Sequence, residues 1–156
     1  VSLISFFVLF PAFSEIIYDS NYDYSLDIPE GFLTNEVSED NKSFHFIHPN
    51  YPVQFIIKIY DDPSFNSSSK TLEYALSKLS ASMEIDSFSW NNIQDCSISD
   101  FSMTLDKQYS GWAVCVPLQK KSAFLVVMSY CDMDKRQSCN PFIMSILNSI
   151  CTNSDP

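Results

Sequence analysis

Between Tyr22 and Ile28 the chain alternates strictly. Tyr22, Tyr24, Leu26 and Ile28 fall on one side, and Asp23, Ser25 and Asp27 on the other. Period two predicts a strand with one buried face. Pro29 cannot donate to a ladder and Gly31 suits the last position of a type I turn, so the strand ends there. A polar stretch from Thr34 to Lys42 follows, and then SFHFIHP alternates again, with Phe44, Phe46 and His48 opposite His45 and Ile47. NYP reads as a turn. In VQFIIKIY, Val53, Phe55, Ile57 and Ile59 share a side, while Gln54, Ile56, Lys58 and Tyr60 are apolar enough on the other to predict a central, largely covered strand.

The period then changes. DDPSFNSSS is a loop, and in KTLEYALSKLSASM the residues Leu72, Leu76, Leu79 and Met83 recur at helical spacing, with Ser69 as N-cap. Strand patterns return in three runs, SFSWNNIQDCSISDFSMTL, YSGWAVCVPL and SAFLVVMSYC, joined by the short polar connectors LDKQ and QKKS, which read as hairpin turns. In NPFIMSILNSIC, Asn140 can cap a helix and Pro141 suits its first position. Phe142, Ile143, Ile146, Leu147 and Ile150 form its apolar face. The expected order is three strands, a helix, three strands and a helix, with antiparallel pairing across short connections. The near-continuous apolarity of FLVVM and VQFII calls for cover on both faces of the sheet.

The segment YDYSLDIPEGF, followed by FIIKIYDD, the helix TLEYALSKL, three strands and the helix PFIMSILNSI, resembles the PsbP-like domain over about residues 22–151. That superfamily also holds bacterial DcrB-like envelope proteins and the Ran-binding nuclear-import factor. Phe32 stands where the family prefers Trp after the glycine. The resemblance implies an α+β fold, an antiparallel sheet of about six strands sandwiched by helices (α/β/α). It also implies a family whose members act mostly as binding or assembly modules. No site residue carries over by position.

At 156 residues and 46% apolar composition, one domain with an ordinary core is expected. Two glycines are too few for a dinucleotide fingerprint or a P-loop. A net charge of −10, from 19 acids and nine bases, argues against nucleic acid and anionic membrane surfaces as partners. VSLISFFVLFPAFSE reads as the h-region and cleavage site of a signal peptide lacking its basic start. Small residues precede a cut between Ser14 and Glu15, so residues 1–14 are expected to be removed and 15–156 to form the domain. A membrane anchor and a buried strand are the alternatives for the same run. Export to the periplasm, the envelope or the extracellular space is the expectation.

Cys96, Cys115, Cys131, Cys139 and Cys151 all lie in the C-terminal half. In an oxidising compartment, Cys131 and Cys139, which flank DMDKRQS, are the local candidates for a disulfide. Cys151 competes for either partner, and five buried thiols are the alternative. His45 and His48 stand three apart on a strand, on opposite faces, which is poor spacing for one metal or a relay. Cys139, near Lys135 and Arg136, is the nearest approach to a reactive thiol, although a disulfide explains it more simply. The pairs Asp132/Asp134 and Asp61/Asp62 lack the further ligands a hard cation takes. No catalytic residue, metal site or cofactor is therefore assigned.

From Glu15 to Asp40 the chain carries eight acids, no base, and Tyr18, Tyr22, Tyr24 and Phe32. One reading is an acidic, tyrosine-rich interaction surface centred on Asp23, Asp27 and Glu30. The other puts the aromatic rings in the core and the acids in water. The leading expectation is an exported, non-catalytic domain that binds a protein partner. A small-ligand binder or hydrolytic enzyme, with a pocket between sheet and helices, and a structural envelope subunit are the alternatives.

Overall fold

The structure, a computed structural model, describes residues 15–79, 84–93 and 96–152. Five strands come first: β1 (Glu15–Asp19), β2 (Tyr24–Ile28), β3 (Leu33–Val37), β4 (Ser43–Ile47) and β5 (Val53–Tyr60). Helix α1 (Ser68–Leu79) follows, then β6 (Glu84–Ile93), β7 (Cys96–Thr104), β8 (Gln108–Leu118) and β9 (Ala123–Asp132). A 3-10 turn, Met133–Lys135, leads into α2 (Arg136–Ser149), and β10 (Cys151–Thr152) closes the described chain.

Seven strands form one antiparallel sheet in the order β3-β4-β5-β9-β8-β7-β6, and three form a second in the order β1-β2-β10. β9 lies at the centre, paired with β5 from Val53↔Cys131 to Tyr60↔Phe124 and with β8 from Tyr109↔Asp132 to Leu118↔Ala123. Its alternate residues serve two cores. Leu125 and Val127 join Phe55, Ile57, Leu26 and Ile146 on one face, where the small sheet and α2 lie. Val126 and Met128 join Leu72, Ala75, Leu76 and Phe101 on the other, under α1. The two-sided cover expected of FLVVM is present. Each such aliphatic side chain contributes about 1.5–3 kcal/mol by leaving water.

Several expectations need correcting. The strand read at Tyr22–Ile28 does turn Tyr22, Tyr24, Leu26 and Ile28 into the core, all at most 7% exposed. However, it is laid across the large sheet rather than paired within it. The polar stretch after Gly31 contains β3, exposed at every position, so no burial period marks it. The run read as one strand before LDKQ is a hairpin of β6 and β7. α1 is capped by Ser67, whose Oγ accepts the Lys70 N–H at 3.3 Å, not by Ser69; Met83 lies outside the described residues. α2 begins at Arg136, so Pro141 sits inside it and Asn140 is no cap. The earlier start brings Cys139 onto the same buried face as Ile143 and Ile146. The cut between Ser14 and Glu15 involves residues 1–14, which lie outside the described residues; Glu15 opens β1.

Gly111 faces Phe101 on β7 and Tyr130 on β9. A Cβ there would come within 2.4 Å of the Phe101 ring and 2.6 Å of the Ser129 carbonyl oxygen. Tyr24 carries the one buried side-chain polar atom without a hydrogen-bond partner among the described residues. Two opposite outcomes are expected from urea unfolding. Gly111→Ala lowers stability by about 1–3 kcal/mol through overpacking. Tyr24→Phe raises it by about 1 kcal/mol, because it removes a desolvated hydroxyl that gains nothing in return.

Candidate functional site

β2 turns one face to the core, so its other face must point outward. Residues paired across an antiparallel ladder share a face. Ile16 pairs with Asp27, Tyr18 with Ser25, and Ser25 with Cys151, so these five side chains make up the outer surface of the small sheet. Ile16 is 65% exposed and Tyr18 61%, against a partly buried Ile17 between them. β10 is too short to reach Asp27, so α2 completes the edge. The Asp27 N–H donates to Ser149 Oγ at 2.9 Å, and that hydroxyl donates to the Ile146 carbonyl at 2.8 Å.

Of the three acids singled out from sequence, Asp27 stands on this face. Asp23 sits in the preceding turn with φ 59, and Glu30 is exposed in the turn after β2. They are strung along one strand and do not converge. Of the aromatic rings in the acidic segment, Tyr22 and Tyr24 are core and Tyr18 is surface. Ile16 was missed because Glu15–Asp19 is too short for its alternation to stand out. A strand reading with Ile17 inward would have exposed it.

A second feature lies where β2 turns into β3. Gly31 adopts φ 93, and a Cβ there would come within 2.5 Å of His48 Nε2. The His48 ring packs against Phe32 at 5.1 Å, Tyr51 at 4.8 Å and Phe142 at 5.5 Å between centroids. Its Nδ1 accepts the Asn50 N–H at 3.1 Å. Burial in this corner holds its pKa below the usual histidine range. His45 lies in a separate network. One ring nitrogen meets Asn35 Nδ2 at 3.0 Å and the other Gln54 Oε1 at 2.8 Å, and Gln54 Oε1 also accepts from Tyr130 at 3.1 Å. These contacts tie β3, β4, β5 and β9 together. The two histidines do not meet.

Of the acids that stand in pairs in the sequence, Asp61, Asp62 and Asp132 have local partners. Asp61 accepts from Tyr22 Oη at 2.5 Å and pairs with Lys42 at 2.9 Å, and these contacts lower its pKa. Asp62 accepts the Ser64 N–H at 2.8 Å. Asp132 pairs with Lys107 at 2.8 Å, and Asp134 stands exposed in the 3-10 turn. Among the described residues no group of three or more His, Cys, Asp or Glu is placed to hold a metal. Cys139 is buried inside α2 rather than poised before it, so the electropositive exposure a reactive thiol needs is missing. A cavity of about 440 Å³ opens beside Lys42, with Lys58, Lys78, Tyr60, Phe65 and Tyr74 on its walls.

No family model and no curated protein matches the sequence. Solved structures do match in shape. The Ran-binding protein Mog1p of Saccharomyces cerevisiae superposes with a TM-score of 0.61 at 6% identity, covering 90% of this chain and 95% of that one. The cyanobacterial PsbP (CyanoP) of Synechocystis gives 0.62 at 8% identity, over 89% and 92%. LpqN of Mycobacterium tuberculosis, described as involved in cell envelope biogenesis, gives 0.54 at 13%, over 88% and 89%. The chain has the PsbP-like fold, as the resemblance of its opening strand implied. At these identities the likeness is one of fold alone. No helix among the described residues is long and apolar enough to cross a membrane.

The His48 corner generates a prediction. The folded pKa lies below the unfolded value of about 6.5, so the unfolded chain takes up the proton first as pH falls. The stability linked to neutral His48 is full above that value and is lost as pH drops through it. Thermal unfolding of wild type and His48→Phe is expected to diverge below about pH 6.5, with wild type falling more steeply. Gly31→Ala is expected to cost about 1–3 kcal/mol at neutral pH, from its left-handed backbone and the contact with His48.

Proposed function

We propose that this chain is a non-catalytic protein-interaction domain of the cell envelope or extracellular space, docking through the outer face of its small sheet. The observation that carries the reading is the exposure of Ile16 and Tyr18, side by side on that face, on a domain whose other large apolar residues are mostly buried. An exposed tyrosine and isoleucine make the kind of anchor that fills a pocket on a partner. Asp27 lies across from Ile16, Glu15 and Asp19 end the same strand, and Asp23 and Glu30 bracket β2. The occupant is accordingly a separate protein with a basic rim around an apolar pocket, drawn by a chain of net charge −10. The fold supports a binding role through its neighbours, one a Ran-binding protein and one involved in envelope biogenesis.

A second reading, a small-ligand binder, rests on the cavity beside Lys42, which is within the size range of ligand sites. It differs in place: substitutions at Lys58 and Tyr74 would affect it and leave the outer face untouched.

A photo-cross-linking amino acid at position 18, introduced in the native compartment, is expected to capture one partner. The same group at Leu105, exposed elsewhere, is expected not to. Ile16→Asp and Tyr18→Ala are each expected to reduce recovery at least about tenfold. Both should leave stability within about 0.5 kcal/mol, since neither side chain is buried. Asp27→Lys is expected to weaken capture in a salt-dependent way. Capture of a second copy of this chain would replace the proposal with self-association. Equal capture from positions 18 and 105 would overturn it.

A further inference from the structure

Cys131 is the penultimate residue of β9, and Cys139 lies in the first turn of α2. Both are buried free thiols, at 1% and 0% exposure, in one cluster with Val53 and Ile143. Cys151, the competitor suggested by sequence, is elsewhere: it is exposed on β10, on the outer face of the small sheet. Cys115 is also removed, in the core beneath α1. Neither can reach the pair without unmaking a strand.

We infer that Cys131 and Cys139 form a disulfide clasp that fastens the start of α2 to the end of β9. The helix is held nearby by other contacts, since Arg136 donates to Ser110 Oγ at 2.8 Å and stacks over Trp112 at 5.5 Å. The clasp therefore joins two elements the fold already packs together, and the loop it shuts is short. The oxidant is a small-molecule or protein disulfide. One cysteine thiolate attacks it, forming a mixed disulfide and expelling one thiol. The second cysteine thiolate then displaces the other thiol, leaving the protein bridge. In total two protons and two electrons pass from the cysteines to the reduced oxidant. Since both sulfurs are buried, the exchange belongs to folding, before α2 seals against the sheet.

The test uses the purified full chain, reduced and unfolded, then refolded with a mixture of oxidised and reduced glutathione. Free thiols are alkylated in denaturant and the chain is cut with trypsin, after Lys135 and Arg136, and then with chymotrypsin, after Phe142 and Leu147, so that Cys131, Cys139 and Cys151 fall on separate peptides. The expected product is a pair of peptides joined through Cys131 and Cys139, separated by reductant. Reduction of the refolded protein is expected to lower Tm by about 5–10 °C, and Cys139→Ser is expected to have a Tm insensitive to reductant. Alkylation of both Cys131 and Cys139 after refolding would overturn the inference. So would a linkage of either to another cysteine, or a redox-dependent Tm that survives in Cys139→Ser. None of these readouts involves a partner, so the inference stands or falls apart from the docking proposal.

Discussion

The structure depends on β9 being hydrogen-bonded on both edges and buried on both faces. A strand placed so has no side chain free to meet water, and from Leu125 to Met128 it has none that needs to. Two apolar faces require two covering layers. Helix α1 supplies one, through Leu72, Ala75 and Leu76. The other is built from unlike parts: the inward face of β2 and the apolar stripe of α2, which meet over Phe55, Ile57 and Val127.

The candidate docking face follows from that second layer. A strand used as a lid must turn half its side chains away from the core. It also needs hydrogen-bond partners of its own, since it cannot borrow them from the sheet it covers. β1 and β10 satisfy most of this requirement, and Ser149 completes it at Asp27, where β10 runs out. The price of a β-strand lid is thus an outward surface and an added strand, and on that strand stand Ile16 and Tyr18. Helix α2 is tied to the same lid at one end and to β9 at the other, so its position sets how β2 sits.

The two glycines mark the two tightest approaches. At Gly111 the Phe101 ring lies over bare backbone, which lets β7, β8 and β9 pack closely under α1. At Gly31 the chain reverses with a left-handed residue directly against His48. Phe32 then enters the corner formed with Phe55 and Phe142, at centroid distances of 4.9 and 5.9 Å. The turn after β2 is in this way joined to β5 and α2 by aromatic contact. The glycine read from sequence as a turn residue does that work, and its lack of a side chain also makes room for the imidazole.

Where apolar residues alternate, run on or recur at helical spacing, the sequence by itself determined the element: β2 and β5 with their inward faces, β9 as a strand covered on both sides, and α1 and α2 as helices with Leu72, Leu76, Ile143 and Ile146 inward. The PEGF stop and the two hairpin turns after Leu105 and Leu118 were also legible, because Pro, Gly and short polar connectors act locally. Tertiary structure alone decided three things. It decided that β2 lies across the large sheet, a choice that one strand's period cannot express. It revealed β1, β3 and β10, whose side chains carry little or no burial signal; β10 also pairs with a strand distant in the chain. It also brought Cys131 beside Cys139 and set Tyr18 outside while Tyr22 and Tyr24 went in. Alternation records which residues share a face; which face meets water depends on what is packed against it.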